Sequence, residues 1–155
     1  MVVKKTFRLT KEGVTELQNE LEALTAERAQ IAENIRTARE FGDLSENSEY
    51  QSARAAQERN EARIIEIEHI LQNAELIKTP KGSAKVQLGS KVTLKGDDGK
   101  SKIFQIVGTV EADPLNGKIS DESPIGQALI GKHENDKVEI ETPVETSAYK
   151  IVEIA

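Results

Sequence analysis

The sequence predicts an α+β protein: an N-terminal antiparallel α-helical coiled-coil hairpin, then a small, mostly antiparallel β-sheet with one short helix. Three observations predict it. Apolar or small residues recur with alternating three-and-four spacing at Val14, Leu17, Leu21, Leu24, Ile31, Ile35 and Ala38, and again at Tyr50, Ala53, Ile64, Ile67, Leu71 and Ala74. Reflected through Leu44, the first series lands on the second, so that Ala38 faces Tyr50, Ile35 faces Ala53, Leu24 faces Ile64 and Leu17 faces Leu71. Beyond residue 84 the apolar period changes from helical to alternating, as in strands.

Thr10 is suited to cap a first helix that runs to about Glu40, and Gly42 to a left-handed turn at its end. The second helix is expected to begin near Leu44 to Asn47 and to continue to about Leu76. Each arm of some thirty residues would project the turn ~45 Å, at 1.5 Å per residue. Arg28 falls opposite Asn60, and Gln57 opposite Ile31, a polar zone in the seam. Its simplest role is control of register at some cost in stability.

The expected domains are a hairpin over 1–78, a Pro- and Gly-containing linker over 79–84, and a C-terminal domain over 85–155. In the last, strands are predicted at Lys91–Lys95, Ser101–Val110, Lys137–Thr142 and Ala148–Ile154, with a turn at Gly96-Asp97-Asp98-Gly99. Ser123-Pro124 opens a short helix that ends at Gly131.

Composition narrows the chemistry. Of 155 residues, 31% are charged and 37% hydrophobic, and no apolar run approaches the ~20 residues of a membrane span. With no cysteine and only His69 and His133, disulfides and a Cys/His metal site are not expected. Met1-Val2-Val3-Lys4-Lys5 lacks a signal-peptide core, so a cytoplasmic protein is the simplest reading. Residues 1–78 carry 11 basic against 15 acidic side chains, and 79–155 carry 10 against 12. Neither half has the basic excess of an autonomous duplex nucleic-acid binder.

The hairpin end gathers Glu40, Asp43, Glu46 and Glu49. Asp43 followed by Glu46 fits a capping box, and acidic groups suit a helix N-terminus. The same two carboxylates could offer oxygens to Mg²⁺, which is often held by one or two carboxylates with water and phosphate completing its octahedron. Near the tip, Arg36 and Arg54 can pair along their helices with Glu40 and Glu58, or, with Arg39, meet the phosphates of RNA.

Gly42-Asp43-Leu44-Ser45-Glu46-Asn47-Ser48-Glu49-Tyr50, preceded by Ala38-Arg39-Glu40, resembles the tip motif of the bacterial Gre transcript-cleavage factors, most closely the GreA type. Leu9-Thr10-Lys11-Glu12-Gly13 resembles the family's opening, and Gly108–Asp113 and Ile119–Lys132 resemble its C-terminal domain, so the resemblance spans the chain. It implies an FKBP-like C-terminal domain that docks on RNA polymerase through the loop matching Glu122, Ser123 and Pro124. At Glu122 the chain has Glu where the family pattern has Asp, and one extra methylene is expected to alter that contact without abolishing docking. The resemblance further implies a transcription elongation factor whose coiled coil enters the polymerase's secondary channel, where the 3′ end of backtracked RNA extrudes. Asp43 and Glu46 would help hold a Mg²⁺ ion shared with the polymerase, with none bound tightly by this chain alone. Arg39, and with it Arg36 and Arg54, would lie near the RNA. The polymerase would perform the hydrolysis, and the factor, a monomer away from any membrane, would be no enzyme itself.

Three other readings compete. A coiled-coil holdase should expose apolar tips, whereas here Phe41 and Leu44 sit among four carboxylates. A prolyl isomerase should have an aromatic pocket, whereas residues 79–155 contain only Phe104 and Tyr149 as aromatics. An anti-cleavage paralogue would occupy the same channel and inhibit; the extra tip carboxylates leave it open.

Overall fold

The computed structural model describes residues 6–42, 47–78, 85–141, 143–144 and 146–155. Leu44, the tip carboxylates Asp43 and Glu46, and the linker 79–84 lie outside the described residues. By compactness, Val14–Asn73 forms one unit, and the chain up to Gly13 joins the chain from Ala74 onward in the other.

The first unit consists of the antiparallel helices α1 (Lys11–Arg39, entering from the other unit) and α2 (Ser48–Gln72). Between residues 14 and 38, the positions shielded from solvent are the seven expected seam residues and Glu20. Cross-links confirm the antiparallel register. Arg63 donates to both carboxylate oxygens of Glu20 at 2.8 and 3.0 Å, Asn60 Nδ2 donates to the Leu24 carbonyl at 3.0 Å, and Arg28 donates twice to Glu61 at 2.7 and 2.9 Å.

The polar zone differs from expectation. Arg28 does not face Asn60 in the seam; its side chain is 47% exposed and pairs with Glu61 at the rim, while Asn60 is buried. A long guanidinium stem can carry its charge to water and avoid desolvation; a short amide cannot. Asn60 Oδ1 has no partner inside the seam. Ile70, outside the expected series, is also buried.

α2 stops four residues earlier than predicted. Asn73 caps it through a backbone bond to the Ile70 carbonyl, and Ala74 leaves the seam for a strand. That strand, β2 (Ala74–Leu76), pairs in parallel with β1 (Phe7–Leu9). Ladder bonds to another part of the chain outweigh the local helical pattern here.

In the second unit a five-stranded sheet runs in the order β5-β4-β3-β7-β6, where β3 is Lys91–Gly96, β4 Ser101–Val107, β5 Lys118–Ser120, β6 Lys137–Glu141 and β7 Thr146–Ile154. All neighbours are antiparallel except β4 and β5, so the sheet is mixed. β4 is shorter than predicted, because a 3₁₀ turn takes over at Thr109–Glu111. Val92, Leu94, Ile106, Ile119, Val138, Ile140 and Ile151 alternate onto one face and, with Leu129 of the short helix α3 (Pro124–Leu129), form the core.

Thr10 caps α1 as expected, its hydroxyl accepting from Gly13 N at 3.0 Å. What no local pattern announces is Glu111, whose carboxylate accepts from Thr10 N at 2.8 Å and from the Thr10 hydroxyl at 2.7 Å. A side chain 101 residues away thus satisfies a free donor at the helix start.

Candidate functional site

The end of the hairpin is built by two helix termini. α1 tightens as it finishes, with Glu40 N donating to the Thr37 carbonyl and Phe41 N to that of Ala38. Gly42 follows with φ of 107°, a left-handed conformation that glycine adopts without the steric penalty of a Cβ, as the sequence predicts. Phe41 is 68% exposed.

α2 begins at Ser48, and its N-cap is Asn47, whose Oδ1 accepts from Tyr50 N at 3.1 Å. The expected capping box of Asp43 and Glu46 is therefore not what starts this helix. Asn ranks with Asp as a cap, so the local preference was real but met four residues later. Asn47 Nδ2 also donates to the Ala38 carbonyl at 2.7 Å, linking the two arms. Sequence reading missed this role; Asn directly before Ser48-Glu49, with Glu in the first turn, was the available signal.

The three arginines differ in freedom. Arg36 is held by Glu33 at 2.5 Å and by Glu40 at 2.7 Å. The hydrogen bond that Arg36 donates to Glu33 first, then the charges of Glu33 and Glu40, raise its pKa; the same bond lowers that of Glu33. Arg54 donates to Gln57 at 2.7 Å, where pairing with Glu58 was expected. Arg39 has its guanidinium carbon 5.9 Å from the centre of the Tyr50 ring, a cation–π contact across the two arms. A cation–π contact does not neutralise the guanidinium as a carboxylate does, so Arg39 is better placed than Arg36 to meet an anion.

In the other unit, Glu122, Ser123 and Pro124 connect β5 to α3. Ser123 caps α3, accepting from Gly126 N at 3.1 Å and donating to the Ser120 carbonyl at 2.6 Å, with Pro124 at the first helical position. Glu122 is exposed; its carboxylate accepts from the Thr109 hydroxyl at 3.1 Å and its N–H donates to Ser120 Oγ at 3.1 Å. Thr109 and Ser120, which the sequence reading did not single out, thus orient Glu122. An open groove of about 460 Å³ runs beside it, lined among others by Arg8, Thr109, Val110 and Asp121. Gly126 is required beneath this loop, since a Cβ there would strike the Ser120 carbonyl.

Among the described residues no cluster of three or more His, Asp or Glu could hold a metal ion, and no helix is long and apolar enough to cross a membrane.

Comparison with known proteins covers both halves. Residues 7–76 match the family model "Transcription elongation factor, N-terminal", and residues 80–155 match "Transcription elongation factor, GreA/GreB, C-term". The chain is 44% identical to transcription elongation factor GreA of Bacillus subtilis (strain 168), over all of both chains. It is 49% identical to that of Chloroflexus aggregans (strain MD-66 / DSM 9485), over 92% of each. Among solved structures, GreA factor homolog 1 (Gfh1) of Thermus thermophilus matches with a TM-score of 0.44 and 32% identity, over 97% of this chain and 99% of that one. The chain belongs to the GreA/GreB family of transcription elongation factors.

Proposed function

We propose that this elongation factor enters the secondary channel of RNA polymerase with its helical hairpin and stimulates the polymerase's own Mg²⁺-dependent cleavage of backtracked RNA. The observation that carries this reading is the cap at Asn47. With α2 started there, Asp43 and Glu46 are not needed as its capping box, and two carboxylates at the end of a helical hairpin are left to another task.

Two hard oxygen donors suit Mg²⁺, and two are too few to hold it alone, which fits an ion shared with a polymerase and its RNA. When bound, such an ion stabilises the attacking and leaving oxygens of phosphodiester hydrolysis. Asp43 and Glu46 would orient the ion's open positions and the attacking water. Arg39 and Arg54 would meet RNA phosphates near the 3′ end; Arg36 contributes less because two carboxylates already hold it. Glu122, fixed by Thr109 and Ser120, would dock on the polymerase with Ser123 and Pro124. The factor acts as a monomer and supplies groups to an active site it does not own.

The test is to add the protein to stalled, backtracked elongation complexes with Mg²⁺. Release of short 3′ RNA fragments is the expected result. Inhibition of the polymerase's intrinsic cleavage would instead assign the chain to the anti-cleavage class.

A further inference from the structure

We infer that Arg8 belongs to the surface that docks on RNA polymerase, and that the polymerase segment seated there carries charges of both signs; this rests on the docking of Glu122 proposed above. β1 alternates: Phe7 is half-buried, Arg8 exposed and Leu9 buried, so the period of two turns the guanidinium away from the core. The strand under it is held on several sides. Its backbone pairs with β2, Glu111 bonds to the neighbouring Thr10, and a Cβ at Gly108 would strike the Arg8 carbonyl. All of these residues lie within the sheet unit.

Two hollows meet at Arg8. The groove of about 460 Å³ beside Glu122 is lined by Arg8, Asp121 and Val110 among others. A second, of about 380 Å³, is lined again by Arg8 and Asp121, with Leu88 and Ile130. Val110 is 38% and Ile130 40% exposed, so each hollow offers apolar surface. Among the described residues no carboxylate pairs with Arg8, and that includes Glu75, its register partner on β2. Neither the Arg8 guanidinium nor the Asp121 carboxylate has a hydrogen-bond partner there. Opposite charges that line one groove and stay apart are both open to a third molecule.

A protein segment that fits presents an acidic side chain to Arg8, a basic one to Asp121 and Glu122, and apolar residues beside them. Nucleic acid, whose backbone is negative throughout, would meet two carboxylates and fits less well. Glu122 borders the first hollow, and the family acts in transcription elongation, so the segment is assigned to RNA polymerase.

The experiment measures the affinity of the full-length protein for RNA polymerase, for wild type, Arg8→Gln, Arg8→Glu and Glu122→Lys, over a range of salt concentrations. Arg8 is exposed, so its variants should melt as wild type does. Arg8→Gln, which removes one exposed ion pair, should weaken binding about two- to fivefold. Arg8→Glu, which sets like charges against each other, should weaken it about tenfold or more. Both losses should shrink as salt is raised, a response that a distorted strand would not give. Arg8→Gln carries the test alone if the added carboxylate lowers the midpoint.

Wild-type affinity in both Arg8 variants, with Glu122→Lys weakened, would overturn the role of Arg8 and leave the docking reading standing. If Glu122→Lys also binds as wild type does, the docking reading falls too. Losses that salt does not change would overturn the charge pairing. A wild-type dimer that Arg8→Glu dissociates would seat a second copy in the groove and overturn polymerase as its occupant.

Discussion

In the sheet unit, Val92, Leu94, Ile106, Leu129 and Ile151 are wholly withdrawn from water, whereas in the hairpin Leu17, Leu21, Leu24 and Ile31 each keep part of their surface exposed. The difference follows from geometry. A sheet with a helix on one face encloses its apolar side chains from above and below, while two helices alone cover only a single stripe of each other. The hairpin compensates with bonds at its rim, in its seam and at its end: Arg63 to Glu20, Arg28 to Glu61, Asn60 to Leu24 and Asn47 to Ala38. Where two helices stand alone, order depends on specific polar ties as well as on the apolar stripe.

The largest expected effect tests that contrast directly. Leu94→Ala in the central strand β3 should cost about 2–5 kcal/mol, because it removes fully buried surface and leaves a cavity. Leu21→Ala, only partly buried in the hairpin, should cost about 1–2 kcal/mol, since less apolar area is lost and water fills the gap. Chemical denaturation of both variants measures the difference, and equal losses would break the comparison.

The second effect has the opposite sign. Asn60→Leu removes a buried amide whose oxygen is unpaired, and should raise the unfolding midpoint by the equivalent of about 1 kcal/mol. Arg28→Leu should add almost nothing, because Arg28 lies at the rim and not in the seam. A fall in the midpoint of Asn60→Leu, with no change of oligomeric state, would show that its bond to the Leu24 carbonyl outweighs the orphaned oxygen.

How much of this was legible before the fold was seen depends on the range of the signal. The seam from Val14 to Ala38 is a long periodic series, and every member of it is shielded as expected. The hairpin strands β3 and β4 and the helix α3 carried turn and cap residues next to them in sequence. The strands β1, β2 and β5 are three residues each, too short to show a period, and are defined by partners far away in the chain. Glu111 reaches Thr10 across 101 residues and no local pattern could reveal it. At the hairpin turn, two residue types of equal capping strength, Asp43 and Asn47, lay four positions apart. The choice of Asn47 over Asp43 became visible only when both helix ends were in view.

The smallest effect concerns the hairpin's rim. The Arg63 hydrogen bonds lower the pKa of Glu20 from its ordinary value of 4.5, so the charged form is favoured in the folded state. The resulting stability is present above the unfolded value and is lost as the pH falls through the folded one. Both side chains are more than a third exposed, 38% and 40%, so screening limits the pair to about 0.2–1 kcal/mol. A double-mutant cycle with Glu20→Gln and Arg63→Met should find that coupling at about pH 7 and a smaller one as the pH falls below the ordinary value of 4.5 and Glu20 takes up its proton. Coupling that stays constant after Glu20 is seen to be protonated would mean the contact is packing and not charge.

The central claim is that Asp43 and Glu46 act through their charge on a shared metal ion and not as helix caps. The direct measurement is the rate of RNA cleavage in backtracked complexes against Mg²⁺ concentration, for wild type, Asp43→Asn and Glu46→Gln, beside their thermal melts. Because Asn47 already caps α2, both variants should melt as wild type does and bind polymerase normally. Each should lose most of the stimulation at low Mg²⁺ and regain part of it as Mg²⁺ rises. Full stimulation by the uncharged variants would contradict the account.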